Sequence, residues 1–154
     1  MFNFSSESSI TRSSDQAAFD LTGPSELAPN SLVGFVVNTS GYGYSSYVGG
    51  YEEGIQLNFT TGSTGTYYGE ESLSINYTYQ KIGPREGRIN ATGYSPSYGS
   101  VSASYIIHFL TETSGYLVGT ESFSQVGITE YEWGTFTVSG APATDNDNPP
   151  LNAQ

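Results

Sequence analysis

The sequence predicts an all-β domain, read as a closed or nearly closed antiparallel barrel of about eight strands with an internal two-fold repeat; a β-sandwich is the alternative. Three observations predict it. The first is composition: 13 Tyr, 8 Phe and 19 Gly in 154 residues, with abundant Ser, Thr and Val and few strong helix formers. Aromatic and β-branched side chains suit a pleated, half-buried surface. The second is punctuation, since turn signals recur roughly every 8–12 residues, as in sandwiches and barrels. The third is a repeat. Residues 55–74 and 105–124 align without a gap at an offset of 50, with seven of 20 positions identical: Phe59/Phe109, Thr61/Thr111, Gly65/Gly115, Gly69/Gly119, Glu71/Glu121, Ser72/Ser122 and Ser74/Ser124. Such a repeat means one supersecondary unit used twice around a shared core. Meandering strands leave two open edges unless the sheet closes. The four repeated glycines mark places where it can bend.

The elements follow from period-two alternation. A first strand is expected at 32–38 and a Tyr-rich second at 42–48. At 53–60, Ile55, Leu57 and Phe59 share one face while Gln56, Asn58 and Thr60 share the other. The turn at 62–65 leads to a strand starting at 66–69. At 73–82, Leu73, Ile75, Tyr77 and Tyr79 face inward. GPREG at 83–87 is a turn, 88–93 a strand and YSPSYG at 94–99 a loop. The strand at 100–110 carries Tyr105, Ile107 and Phe109 on one face and Ile106 and Leu110 on the other, so it is expected to be covered on both sides. Strands at 115–120 and 128–138 complete the set. Only 15–21 could form a short helical turn.

Three regions are expected: a polar arm at 1–30, the β-domain at 31–138 and a flexible polar tail at 139–154. Formal net charge is −11, from 15 acidic and 4 basic residues. A nucleic-acid binder needs a basic footprint, so that class is excluded. The absence of cysteine excludes disulfides, thiolate chemistry and Cys-ligated metals. No apolar run reaches transmembrane length. The opening MFNFSSESSITRSSDQ lacks the apolar stretch of a signal peptide, so secretion would require a signal that has been removed.

Four segments carry a resemblance: Leu57-Asn58-Phe59, Thr64-Gly65-Thr66-Tyr67, Ser114-Gly115-Tyr116 and Gly134-Thr135-Phe136-Thr137-Val138. In this order of an apolar-x-Phe strand, a Thr/Ser-Gly turn, an aromatic strand and a Gly-Thr-Phe closing strand, the region from Leu32 to Val138 resembles secreted or surface bacterial β-barrel proteins of unknown function, lipocalin-like in layout. The Gly-x-Trp of true lipocalin first strands is missing, because Trp133 sits near the end. The resemblance implies a barrel and carries over no functional residue.

No catalytic residue, metal ligand or cofactor is assigned from sequence. His108 is the one histidine, on the face opposite Ile107 and Phe109, and reads as structural; no Gly-x-Ser-x-Gly elbow is present. The pairs Glu52/Glu53 and Glu70/Glu71 split across two faces. Glu130 and Glu132 share a face. These carboxylates are expected at solvated strand edges, and Glu71 and Glu121 at equivalent turn or strand-start positions. Asp145-Asn146-Asp147-Asn148 has calcium-like spacing without the rest of an EF-hand loop. Lys81, Arg85 and Arg88 form one basic hairpin, apart from Arg12. The candidate binding residues are aromatic: Tyr42, Tyr44, Tyr47, Tyr94, Tyr98 and Trp133, with Tyr51 near the first group. Five Asn-x-Ser/Thr triplets begin at Asn3, Asn38, Asn58, Asn76 and Asn90; three of them, Asn58, Asn76 and Asn90, lie outward between inward neighbours.

The leading expectation is a non-catalytic extracellular or cell-surface domain that binds a small apolar or glycan ligand. The alternatives are a surface-layer or fibre subunit that self-associates through its terminal arms, and a cofactor-free cyclase or isomerase working in a barrel cavity. An apolar cavity with a carboxylate of raised pKa would favour the enzyme, and a barrel filled with side chains would remove both internal-ligand readings.

Overall fold

The computed structural model describes residues 26–140. Asn3, Arg12, the turn expected at 15–21 and the Asp/Asn run at 145–148 lie outside them. Nine strands form one antiparallel sheet: β1 (Val36–Ser45), β2 (Gly49–Glu53), β3 (Gln56–Phe59), β4 (Thr64–Tyr68), β5 (Ser72–Lys81), β6 (Glu86–Ser95), β7 (Gly99–Thr111), β8 (Ser114–Phe123) and β9 (Ile128–Ser139). Neighbours follow chain order from β3 to β9. β1 then pairs with β3 on one side and with β9 on the other, which closes an eight-stranded barrel. β2 pairs only with β1 and lies outside the ring. The described residues contain no helix, and none is long and apolar enough to cross a membrane.

Alternation sets the inside. Val37, Leu57, Phe59, Leu73, Ile75, Tyr77, Ile89, Val101, Tyr105, Ile107, Phe109, Leu117 and Phe136 form the core. The ladders place these residues in opposed pairs, such as Leu57 facing Val37 and Tyr105 facing Ile89. One end of the barrel is filled by aromatic rings. Phe59 meets Tyr77 edge-on at 4.7 Å, and Phe109 meets Phe136 at 5.0 Å. Over that end lies the segment 26–35, with Leu27, Ala28, Leu32 and Phe35 buried. Its backbone is tied down: Leu27 N and Ala28 N both donate to Pro84 O, at 2.8 and 2.9 Å. Tyr79 Oη donates to Pro29 O at 2.8 Å. Residues 26–30, on the arm side of the boundary expected from sequence, therefore cap the barrel.

The repeat is structural and longer than the sequence identity indicates. Phe59 and Phe109 are both 1% exposed, and their amides donate to Phe35 O and Arg85 O, which are also 50 positions apart. Thr61 bonds Thr64, and Thr111 bonds Ser114, each at 2.7 Å. A Cβ on Gly65 would lie 2.3 Å from Asn58 O, and one on Gly115 would lie 1.9 Å from His108 O. The equivalence reaches Ser45 and Ser95, both buried, whose hydroxyls accept from Val48 N and Tyr98 N.

Two strand expectations need correction. Residues 32–38 and 42–48 are not separate strands: Leu32–Phe35 belongs to the cap, and β1 runs unbroken through Ser40 and Gly41. Gly41, between the two expected strands, serves the close approach of β1 and β9. Gly41 faces Gly134, and a Cβ on Gly134 would sit 2.4 Å from Ser40 O. The expected strand at 53–60 is broken after Glu53. β2 and β3 keep the same register against β1, and at the break Ile55 N bonds the Thr39 hydroxyl at 3.0 Å. The expectation that β7 is covered on both faces fails at Leu110, which is exposed on the outer wall.

Gly134→Ala should destabilise the barrel by about 1–3 kcal/mol, because the new methyl meets backbone that has to shift. Gly50→Ala, where a Cβ meets nothing within 4 Å, should change stability by less than about 0.5 kcal/mol. Urea unfolding of the two variants measures the difference; equal costs would mean the seam is looser than described.

Candidate functional site: an acidic cavity inside the barrel

The end of the barrel opposite the cap is hollow. A cavity of about 930 Å³ lies there. Its apolar wall includes Leu57, Leu73, Ile75, Ile89, Val101 and Phe123, and the cross-strand pair Ala91 and Ala103 leaves room where larger side chains would fill it. The mouth is ringed by Tyr47, Val48, Glu70, Glu71, Tyr98 and Val126, from the turns at that end. The wall is also interrupted at the side. β4 stops at Tyr68, whereas β8, its counterpart in the repeat, continues to Phe123, so β2 has no partner on its other edge.

Carboxylates sit inside this hollow end because they fall in phase with the apolar positions. On β8, Glu121 follows Leu117 and Gly119 on the inner face. On β9, Glu130 and Glu132 alternate with outward residues between Ile128 and Phe136. Glu53 keeps the phase of Ile55, Leu57 and Phe59. Register brings them together, with Glu121 facing Glu130 and Glu132 facing Gly119. Tyr105 faces the same glycine from β7 and lays its ring across it, where a Cβ would come within 2.2 Å of the ring. Its hydroxyl thereby reaches both Glu121 and Glu132, the latter at 2.6 Å. Tyr51 crosses Gly43 in the same way and donates to Glu130 Oε2 at 2.5 Å. Glu53 and Glu132 also contact each other through their carboxyl groups.

These groups cannot all ionise. A phenol has one proton, so Tyr105 can donate to only one of its two carboxyl partners at a time. The other contact is satisfied when that carboxyl carries a proton. Glu132 Oε1 and Glu53 Oε2 are buried and meet no donor among the described residues, and a proton shared across the Glu53–Glu132 contact supplies one. The pKa directions agree. Burial, then the charges of Glu121 and Glu53, push Glu132 up to about 9. Burial raises Glu121 to about 7 against the opposing hydrogen bond from Tyr105, with Glu53 and Glu130 adding to the rise. Burial also raises Glu53. Tyr51, Tyr67 and Tyr105 are raised, first by burial and then by the surrounding carboxylates. At the rim the direction reverses: Glu71 is lowered by hydrogen bonds from the Ser95 and Ser97 hydroxyls.

The arrangement can hold a proton, a cation or a hydrogen-bond donor. Oxygens of Glu121, Glu130 and Glu132 lie within 4.8 Å of one another, a group able to ligate a hard divalent ion. The expectation of a solvated strand edge is thus wrong for Glu132, which is 7% exposed, and the turn or strand-start position expected for Glu121 fits Glu71 alone, because Glu121 lies inside β8 and is 4% exposed. The signal was their parity with the apolar residues. The six aromatic candidates are not brought together. Tyr42 and Trp133 face each other across the outer wall, rings 6.4 Å apart, with Tyr44 beside them on the same face of β1. Tyr94 is on the outer face of β6. Only Tyr47 and Tyr98 line the cavity, Tyr98 against Phe123 at 5.6 Å. His108 lies on the outer wall, stacked on Tyr116 and 3.1 Å from Glu86, away from the carboxylates.

The cluster makes stability depend on pH. Glu121 and Glu132 have folded pKa values above the ordinary 4.5. Their contribution is therefore full below that value and is lost as pH rises through about 7 and then about 9. Urea unfolding should show stability falling from about pH 5 to about pH 9, and Glu132→Gln should flatten the upper part of that fall. A flat profile in the parent protein would mean that water screens the cluster. No protein family, curated relative or solved structure matches the chain.

Proposed function

We propose that the protein is a binding barrel that takes a small, mostly apolar molecule into its interior, with the polar end of that molecule directed at the carboxyl cluster. The observation that carries this reading is the hollow end itself. Its volume, about 930 Å³, falls within the roughly 300–1,000 Å³ of small-molecule sites, and such sites pair apolar walls with a few convergent polar groups. The walls favour an apolar ligand over a glycan. An extracellular or cell-surface setting goes with the proposal, since Asn76 and Asn90 are exposed on the outer wall where a glycan could be carried. Assembly through the terminal arms rests on residues outside those described.

A second reading is favoured by Glu121, a protonatable group in the cavity wall. It could give its proton to the γ-carbon of a bound β,γ-unsaturated ketone while a neighbouring carboxylate of the cluster accepts one from the α-carbon, so that the double bond moves into conjugation. The substrate would isomerise without gain or loss of atoms. Deuterium from D₂O should then enter a β,γ-unsaturated ketone during its conversion, and Glu121→Gln should stop it.

The binding reading is tested with the neutral fluorescent probe N-phenyl-1-naphthylamine. One equivalent should bind with a blue-shifted emission. Ala103→Trp, which fills the space between β6 and β7, should abolish binding while unfolding stays cooperative. Undiminished binding by that variant would place the probe elsewhere.

A further inference from the structure

We propose that the ligand of this barrel is a cation: an apolar amine whose ammonium group sits among Glu53, Glu121 and Glu130 while its hydrocarbon part fills the hollow end. The inference rests on the cavity being a ligand site and assigns the class of molecule it takes.

The argument begins with an imbalance. Glu53, Glu121 and Glu130 line the cavity, and Glu132 lies directly behind them. Four carboxyl groups thus present eight acceptor oxygens. The donors beside them are three hydroxyls, those of Tyr51, Tyr67 and Tyr105; Tyr51 is engaged with Glu130, and Tyr105 with Glu121 and Glu132. Two buried carboxyl oxygens, Glu53 Oε2 and Glu132 Oε1, meet no donor beyond a proton held between those two acids, and Glu132 is more than nine-tenths buried. Among the described residues no Lys, Arg or His lines the cavity. Lys81, Arg85 and Arg88 belong to the β5–β6 hairpin at the capped end. The protein supplies the acceptors and the negative charge, and it leaves the donors and the positive charge to something else.

A primary ammonium brings three N–H donors and a full charge. An alcohol brings one donor and no charge, and a carboxylate would be repelled. A bare divalent ion could neutralise the carboxylates, but it would leave the apolar space next to them without an occupant. An amine with a hydrocarbon tail accounts for both halves of the cavity. The rings of Tyr51, Tyr67 and Tyr105 border the cluster and favour a cation further. Outside, Glu52, Glu70 and Glu71 line the way in, and the net charge of −11 draws cations toward it.

The experiment is competition against N-phenyl-1-naphthylamine by octylamine, 1-octanol and octanoate, which share a chain length and differ in the polar end. Octylamine should displace the probe at a concentration at least about tenfold below 1-octanol, with octanoate weakest. In Glu121→Gln and in Glu130→Gln the amine's advantage should shrink to under about threefold; if one variant does not fold, the other carries the comparison. Equal or better displacement by 1-octanol overturns the inference and leaves the cavity reading standing. So does an amine advantage that survives both substitutions, or one that Ca²⁺ binding accounts for. A probe that does not bind at all removes both readings.

Discussion

Everything in this molecule depends on the seam between β1 and β9. Ten consecutive residue pairs, Val36 with Ser139 through Ser45 with Glu130, join the first strand of the sheet to the last. Closure fixes which face of every strand is interior, because a slip of one residue would turn each inward side chain outward. It also requires close backbone approach. Gly41 and Gly134 face each other in the middle of the seam, and neither has room for a Cβ. With the ring closed, the distribution of large and small inward residues decides what is solid and what is hollow. Phe59, Phe109, Phe136 and Tyr77 fill one end. Ala91, Gly93 and Ala103 on the inner face of the other leave it open.

The two ends play opposed energetic roles. Apolar burial in the capped end contributes the stability, at about 25 cal/mol per Å² of surface removed from water. The carboxyl cluster in the hollow end works against it, because buried like charges must be protonated or neutralised. Tyr105 and Tyr51 limit that cost by bridging glycines to reach the acids. Residues that break the rule of apolar interiors are retained where they serve something other than stability. Glu53, Glu121 and Glu130 are such residues, and all three line one cavity within reach of its mouth.

Much of the fold was legible because its physics is local. Leu57 and Phe59, and Leu73, Ile75 and Tyr77, alternate cleanly, and the structure buries each of them. The offset of 50 identified two equivalent hairpins, and the need to remove open edges pointed to a closed ring. What was not legible depends on partners distant in sequence. Gly41 falls in a gap between two expected strands until Gly134 is placed against it. The break at Gly54 matters only because β4 ends early. Glu121, Glu130 and Glu132 look like solvated acids when each is taken alone. Their parity with Leu117, Ile128 and Phe136 was visible, but composition-based expectation places acids outside, and only register shows that the three converge. The aromatic candidates were chosen for residue type, which cannot distinguish the outer wall carrying Tyr42 and Trp133 from the mouth carrying Tyr47.

The seam also has a consequence for how the chain reaches this state. Most pairings are between strands adjacent in sequence and close over short loops. The seam joins segments about a hundred residues apart, as in the 95-residue separation of Ser40 and Thr135. Loop-closure entropy makes such contacts late, and high relative contact order makes folding slow. The two repeated hairpins can form early, each with its Phe and Thr turn, while β1 and β9 wait as unpaired edges. In that interval β1 of one molecule can pair with β9 of another in the same register. The route by which the barrel closes is thus also its route to domain-swapped dimers when the chain is concentrated.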